Sequence, residues 1–241
     1  MKILIVRHAD PDYVNNTLTE KGFKEAKLFK EYYKDLKIDA IYSSPLPRAY
    51  LTASIFNEYH HKHIEVIEEF QEFLHEVDVP YLEKKNTSWD FLPSYLFNEK
   101  DLLDNNKYLD HEIFKKSEIK KYYDVVIQKF DEILYKHGYK RNKLGYFDVI
   151  NSNKDTIIIF CHLGLMSLLL SSLLNVPFTN LAQFMCCLPS GVTTLVTEER
   201  EEGIAQFRML EYGELSHLKF YNEEPSFAAR FCENFKDNTR H

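Results

Sequence analysis

The stretch 2-KILIVRHADP-11 decides the fold class of this chain of 241 residues. Residues 3–6 form an unbroken apolar run, which predicts a strand that is buried on both faces. Arg7 and His8 follow at once, so a cation and an imidazole stand where the first strand must end. In open α/β sheets, ligands bind outside the carboxyl ends of the strands. The placement of this pair therefore suggests a functional site.

The rest of the chain alternates between predicted strands and predicted helices. The strands are IDAIYSS (38–44), HIEVIEEF (63–70), TIIIFC (156–161) and a β-hairpin over 191–210, and the helices cover about 19–36, 45–59, 118–137 and 164–174. This order predicts a three-layer α/β/α sandwich with a mostly parallel central sheet. We expect a single domain over 1–241, in which the aromatic-rich residues 76–116 form a helical or irregular insertion after the third strand and act as a cap.

Composition excludes several classes of protein. The net charge of −7 argues against a nucleic-acid partner, which needs clustered Lys and Arg. No run of roughly 18 apolar residues predicts a membrane span, and the opening apolar run is too short for a signal peptide. No cysteine has C-x-x-C spacing. In a chain of this length, such cysteines are typical of free thiols in a reducing compartment, so we expect a cytoplasmic protein. The cysteines are Cys161, Cys186, Cys187 and Cys232.

Glycine and cysteine spacing exclude three further kinds of phosphate site. The chain has 7 glycines and no G-x-G-x-x-G or Walker pattern, so neither common nucleotide cradle is present. Cysteine phosphatases need C-x5-R, but no arginine stands six positions after any cysteine.

Charged and imidazole side chains follow three of the predicted strands. In addition to Arg7 and His8 after the first strand, the second strand ends in Ser43-Ser44-Pro45 with Arg48 one helical turn later. The strand 156–161 ends at His162. An arginine in the first turn of a helix opposes the helix dipole unless an anion lies there. Two cations and two imidazoles at one sheet edge suit phosphoryl transfer, because an imidazole is a competent nucleophile and the cations stabilise the charge on the phosphoryl oxygens. Such a site needs no metal.

Four motifs give a resemblance to a known family. RHAD (7–10), LTEKGFKEA (18–26), SSPLPRAYLTA (43–53) and CHLG (161–164) resemble the R-H-G-E/Q, L-T-x-x-G-x-x-Q-A, S-S-P-x-x-R-x-x-x-T-A and H-G-G patterns of the histidine phosphatase superfamily, in its phosphoglycerate-mutase-like branch. The match runs in order from residue 3 to about residue 220 and includes YGELSHL.

The resemblance implies a role for each matched residue. His8 would be the nucleophile that becomes phosphohistidine, and Arg7, Arg48 and His162 would complete the phosphate pocket, with His162 also counted as catalytic. The family's general acid lies in an L-x-E step after the third strand. FQEF (70–73) resembles this step, so Glu72 is the candidate acid and Glu76 the alternative.

Departures from the family patterns narrow the function. Leu163 stands in place of a glycine, which predicts some loss of backbone freedom after His162, whereas Ala9 stands in place of the glycine after R-H and is small enough to keep the close approach. The mutase branch carries Trp and Gly before L-T, whereas PDYVNNT (11–17) contains neither, and this disfavours a mutase.

The resulting hypothesis is a phosphomonoesterase of the histidine phosphatase class that hydrolyses a small phosphorylated metabolite without metal or cofactor. The alternatives are a phosphoglycerate-type mutase and a non-catalytic module that binds a phosphate ligand. We expect no membrane partner, and either a monomer or a homodimer. Trp89 and Tyr95, within the expected cap, are candidate specificity residues because their rings offer an apolar face and a polar tip. The acidic Asp78, Glu83 and Asp90 favour monophosphates over bisphosphates.

Overall fold

The computed structural model describes residues 1–226, so Cys232 lies outside the described residues. Its strands are β1 (Lys2–Arg7), β2 (Pro11–Asp12), β3 (Thr17–Leu18), β4 (Ala40–Ser43), β5 (Ile64–Val66), β6 (Glu76–Val77), β7 (Asn86–Thr87), β8 (Tyr139–Arg141), β9 (Phe147–Val149), β10 (Thr156–Cys161), β11 (Val192–Glu201) and β12 (Ile204–Glu214). Its helices are α1 (Glu20–Tyr32), α2 (Pro47–His60), α3 (Pro93–Asn98), α4 (Glu112–Lys116), α5 (Ile119–Lys136), α6 (Leu163–Leu174), α7 (Phe178–Phe184) and α8 (Ser216–Phe220).

The central sheet is mixed, and helices flank it on both faces. Its strand order is β5-β4-β10-β1-β11-β12-β9-β8. The four strands from β5 to β1 are parallel, whereas β1–β11, β11–β12, β12–β9 and β9–β8 pair antiparallel. The predicted α/β sandwich is confirmed. The predicted parallel arrangement holds for the half of the sheet from β5 to β1. The antiparallel half contains the predicted hairpin, β11–β12, and a second hairpin, β8–β9, that the sequence did not reveal.

The third predicted strand is shorter than expected. The prediction extended it over 63–70, but β5 ends at Val66 and Glu68–Phe70 form a 3-10 turn. β5 lies at the sheet edge and pairs only with β4 among the described strands. A strand with one neighbour forms about half the ladder hydrogen bonds of a strand with two neighbours, so fewer bonds hold it in an extended conformation. The chain therefore turns after Val66, where the side chains of Ile67 and Phe70 enter the core.

β1 lies between two hydrophobic layers, as its unbroken apolar run predicts. Leu4 and Val6 face a cluster that contains Phe29 of α1 and Phe56 of α2. The alternate residues, among them Ile5, face the larger cluster formed with α5 and α6. Since β10 and β11 pair with β1 on its two sides, the strand has no exposed edge.

Residues 76–116 contain two short paired strands, two short helices and 3-10 turns rather than one regular element. Buried rings anchor this region to the body: Phe114 stacks on Phe178 of α7 with ring centroids 5.6 Å apart, and Tyr108 contacts the same ring. Its aromatic side chains therefore contribute to the main core, and the expected role as a cap stays a prediction. No helix among residues 1–226 is both long enough and apolar enough to cross a membrane.

Candidate active site

The carboxyl ends of three neighbouring parallel strands bring the predicted pocket residues together. Arg7 is the last residue of β1 and pairs with Cys161, the last residue of β10. His162 follows Cys161 and precedes the first turn of α6. Arg48 lies in the first turn of α2, whose first residue is Pro47, as predicted. The four pocket side chains are buried, with exposed fractions of 3% for Arg7, 1% for His8, 9% for Arg48 and 0% for His162.

The hydrogen bonds of His8 define its tautomer. Nδ1 lies 2.8 Å from the carbonyl oxygen of Ala9, and a carbonyl can only accept, so Nδ1 carries the hydrogen. Nε2 is then the nitrogen with the lone pair, and Nε of Arg48 donates to it at 3.3 Å. Burial lowers the pKa of His8 well below its usual range, and the charges of Arg7 and Arg48 lower it further. The ring is therefore neutral at ordinary pH, with a lone pair directed into the pocket.

His162 and Arg7 each have a buried polar atom without a hydrogen-bond partner in the described part of the chain. The His162 ring lies 5.1 Å from the His8 ring, between centroids, and its Nε2 is 2.7 Å from Oγ of Ser44. Nη1 of Arg7 donates to the carbonyl of Cys187 at 2.6 Å. Within residues 1–226, Nδ1 of His162 and Nε of Arg7 are buried without a hydrogen-bond partner. Buried polar atoms are rarely left unsatisfied, so these two atoms indicate a ligand site.

The charge of the pocket points to an anion. Neither Arg7 nor Arg48 forms a salt bridge with a carboxylate in the described part of the chain. An uncompensated buried charge is costly, which favours binding of a doubly charged group such as phosphate. No group of three or more His, Cys, Asp or Glu side chains within residues 1–226 has the arrangement of a metal site.

Glu72 lies at the edge of this pocket. Its Oε1 accepts hydrogen bonds from the backbone N–H of Phe73 at 2.9 Å and of Leu165 in the first turn of α6 at 3.1 Å. Burial raises the pKa of Glu72, while Arg7 and the two N–H donors partly oppose the increase. Glu76, the alternative acid, is exposed on β6. The geometry therefore favours Glu72, which can donate a proton beside the two arginines.

Gly164 has a role that its sequence context did not reveal. A Cβ at this position would lie 2.7 Å from Oε1 of Glu72 and 2.7 Å from Nε1 of Trp89. His162 is extended and Leu163 is the first residue of α6, and neither residue has a positive φ. The expected loss of backbone freedom at Leu163 is therefore not a constraint here, because the helix needs no left-handed residue at this point. The retained glycine provides space rather than flexibility.

The two candidate specificity residues lie in different surroundings. Trp89 is only 8% exposed, and its indole N–H donates to the carbonyl of Phe73, next to Glu72, at 2.7 Å. Tyr95 is half-buried, and its ring lies 5.2 Å from that of Tyr81 and 5.9 Å from that of Phe91, between centroids. The structure thus brings Trp89 to the candidate acid and leaves Tyr95 in an aromatic cluster.

Tyr13 is a pocket neighbour that the sequence reasoning missed. The central guanidinium carbon of Arg48 lies 5.3 Å from the centre of the Tyr13 ring, a cation–π distance, and Tyr13 is 68% exposed. An aromatic residue close after the R-H pair is the only sequence signal for this contact.

Residues 3–86 match the model of the histidine phosphatase superfamily, branch 1. This span contains Arg7, His8, Arg48 and Glu72, whose arrangement has just been described. The match thus covers the N-terminal part of this chain. The resemblance inferred from the sequence motifs is confirmed.

Curated relatives match the N-terminal part of this chain. Phosphoserine phosphatase 1 of Hydrogenobacter thermophilus is 38% identical over 78 residues, which is 29% of this chain and 36% of that protein. An uncharacterized phosphatase of Bacillus subtilis is 35% identical over 79 residues, covering 29% of this chain and 41% of that protein. The match thus spans well under half the length of these relatives.

Solved structures share the fold of this chain over most of its length. The phosphoserine phosphatase of Entamoeba histolytica in complex with 3-phosphoglyceric acid has a TM-score of 0.57 and 18% identity, covering 90% of this chain and 98% of that one. A mycobacterial glucosyl-3-phosphoglycerate phosphatase has a TM-score of 0.56 and 17% identity, covering 88% of this chain and 98% of that one. At this level of identity, the likeness concerns the fold alone.

Proposed function

We propose that this chain is a phosphomonoesterase that hydrolyses a small phosphorylated metabolite through a phosphohistidine on His8. The observation that carries the proposal is the tautomer of His8: its Nδ1–H is held by the Ala9 carbonyl, so the Nε2 lone pair faces a pocket with two arginines that form no salt bridge within residues 1–226. The match of residues 3–86 to the superfamily model and the names of the relatives support the same activity.

In the first step, Nε2 of His8 attacks phosphorus and the bond between phosphorus and the ester oxygen breaks. Glu72 gives its proton to the departing alkoxide, so the alcohol leaves neutral. The negative charge on the three equatorial oxygens is stabilised by Arg7, Arg48 and His162. Hydrogen-bond donors stabilise such charge strongly because the pocket is buried and has a low dielectric constant.

In the second step, water attacks the phosphohistidine. Glu72, now a carboxylate, takes a proton from that water, the bond between Nε2 and phosphorus breaks, and inorganic phosphate leaves. His8 returns to its neutral form and Glu72 is again protonated. A carboxyl group whose pKa is raised by burial suits both roles, since it holds a proton before the first step and can lose it during turnover.

The substrate class proposed is the monophosphate ester of a small alcohol. The Entamoeba relative in complex with 3-phosphoglyceric acid supports a panel that begins with phosphoserine and 3-phosphoglycerate. The preference for monophosphates, from the exposed Asp78, Glu83 and Asp90, stays a prediction. A cytoplasmic location likewise stays a prediction.

The test is turnover of p-nitrophenyl phosphate and of the panel by the wild type, His8→Ala and the matched control His63→Ala, which removes an exposed imidazole. We expect His8→Ala to lose turnover and the acid-labile phosphate on the protein, with His63→Ala unchanged. A His8→Ala variant that keeps more than about a tenth of the wild-type kcat would contradict the covalent mechanism. Phosphate transfer to a second hydroxyl without release of inorganic phosphate would indicate a mutase, and binding of phosphate without turnover would indicate a binding module.

A further inference from the structure

Two carboxylates lie directly behind the nucleophile, and the mechanism above uses neither. Glu25 is on α1 and is 0% exposed. Asp10 follows the His8–Ala9 step by one residue. The resembled pattern L-T-x-x-G-x-x-Q-A has glutamine where this chain has Glu25, so this position holds a titratable group in place of an amide.

Both oxygens of Glu25 accept backbone hydrogen bonds. Oε2 accepts from the N–H of Asp10 at 2.9 Å, and Oε1 accepts from the N–H of Ser226 at 3.0 Å. A carboxylate can accept on both oxygens, whereas an amide side chain has only one acceptor oxygen. Glu25 therefore ties the loop that follows the nucleophile to residue 226, and glutamine could hold only one of these two donors.

The peptide group between Ala9 and Asp10 connects Glu25 to His8. Its carbonyl oxygen, on Ala9, accepts from Nδ1 of His8 at 2.8 Å, and its N–H, on Asp10, donates to Glu25. The neighbouring N–H of Ala9 donates to Oγ1 of Thr52 at 3.1 Å, which fixes the loop on its other side. A planar peptide transmits both position and polarisation from one end to the other.

We propose that Glu25 is a positioning residue for His8, acting through the Ala9–Asp10 peptide to hold the ring and its reactive tautomer. An ionised carboxylate on the peptide N–H increases the negative charge on the Ala9 carbonyl oxygen. That oxygen then binds the Nδ1–H of His8 more strongly and directs the Nε2 lone pair into the pocket. The inference rests on the proposed function only in taking His8 as the nucleophile.

The surroundings of Glu25 make this support dependent on protonation. Burial raises the pKa of Glu25 to about 7; Asp10 from the loop raises it too, whereas the two N–H donors and Lys21 from the same helix lower it. Asp10 accepts from the hydroxyl of Thr19 at 2.7 Å and from that of Ser226. Below about pH 7, a proton occupies one Glu25 oxygen and the polarisation weakens, and above it the carboxylate is restored.

The segment that carries Ser226 is itself held against α1. Lys21 lies 2.6 Å from a carboxylate oxygen of Glu223, and Lys24 contacts the other oxygen. Residues 223–226 therefore present the Ser226 N–H to Glu25 from a second segment, which also contacts the nucleophile loop through the Ser226 hydroxyl and Asp10. A change in the protonation of Glu25 is therefore expected to affect the loop after His8 and residues 223–226 together.

An NMR titration tests the connection without any need for turnover. In the wild type, the backbone amides of Asp10 and Ser226 and the ring nitrogens of His8 should move together, with a shared midpoint near pH 7. In Glu25→Gln that shared transition should vanish, and in the control Glu20→Gln, an exposed carboxylate on the same helix, it should remain. Should Glu25→Gln fail to fold, the wild type alone decides. Amides of Asp10 and Ser226 that do not titrate together would overturn the proposal.

Kinetics test the consequence for the nucleophile. With p-nitrophenyl phosphate, which needs little help from Glu72, we expect Glu25→Gln to lower kcat about tenfold above pH 7, with KM nearly unchanged because the phosphate pocket is intact. The acid limb near pH 7 should disappear relative to the wild type and Glu20→Gln. A Glu25→Gln variant with lower kcat but an unaltered pH profile would assign Glu25 a purely structural role. A wild type without turnover would refute the proposed function, while the NMR result would still decide the connection.

Discussion

Replacing Gly164 with alanine sets two physical effects of opposite sign against each other. Within α6, alanine has a higher helix propensity than glycine and would stabilise the fold by up to about 1 kcal/mol. Against this, the new Cβ would lie 2.7 Å from both Oε1 of Glu72 and Nε1 of Trp89, where real Cβ atoms are essentially never found.

The steric term is the larger of the two. Trp89 is buried and its N–H is bound to the Phe73 carbonyl, so the indole has little room to move. If Glu72 moves instead, the N–H groups of Phe73 and Leu165 lose their acceptor, at about 1–3 kcal/mol for each donor left unsatisfied. Overpacking of a core position costs about 1–3 kcal/mol. We expect Gly164→Ala to lower the free energy of unfolding by about 1–2 kcal/mol despite the gain in propensity.

The same displacement should impair proton donation. A shift of the candidate acid by somewhat under 1 Å should lower kcat for alkyl phosphates by about tenfold to a hundredfold, while p-nitrophenyl phosphate, with its good leaving group, changes little. In a Glu72→Gln background, Gly164→Ala should cause no further fall in kcat for alkyl phosphates relative to p-nitrophenyl phosphate, because the two changes act on one group.

Denaturant unfolding and kcat for both substrate classes are the measurements. Gly203→Ala is the matched control, since Gly203 has φ of +77° in an open turn with no atom within 4 Å of its Cβ position. That variant should lose stability through backbone strain without altering the ratio between substrates. A Gly164→Ala protein that is at least as stable as the wild type and retains its alkyl phosphatase activity would refute the reasoning.

Three further predictions follow from the site. EDTA should leave turnover unchanged, since Arg7 and Arg48 supply the positive charge; loss on chelation that a divalent ion restores would indicate a metallophosphatase. With alkyl phosphates, kcat should fall as pH rises through the raised pKa of Glu72, because the acid must be protonated to donate. This alkaline limb should be missing in Glu72→Gln, whereas any limb that comes from ionisation of the substrate should be present in both proteins. Trp89→Ala should lower kcat for alkyl phosphates more than for p-nitrophenyl phosphate. Tyr95→Ala should alter kcat/KM ratios among natural phosphoesters only if the cap contacts the leaving group. A parallel fall for every substrate would show that these two rings have a structural role.

Much of the fold followed from local patterns in the sequence. β1, β4 and β10 are short apolar runs that end in polar residues, and their helices begin at recognisable signals such as Thr19 and Pro47. The hairpin β8–β9 was missed because each strand has only three residues, too few to establish an alternating pattern. The length of β5 was overestimated because its apolar residues continue into a turn that only the edge position of the strand explains.

By itself the sequence identified the residues that the structure brings together in the candidate phosphate pocket. Arg7, His8 and His162 adjoin strand ends, and the carboxyl ends of neighbouring parallel strands meet whatever the intervening chain does. Only the tertiary structure separated the candidate acid Glu72 from its alternative Glu76, and only it placed Glu25 behind the proposed nucleophile. Glu72 is singled out by an N–H of Leu165, 93 residues away, and Glu25 by the N–H of Ser226, 201 residues away. Burial and hydrogen-bond partners set the protonation of a carboxyl group, and both come from chain segments whose approach no local pattern records.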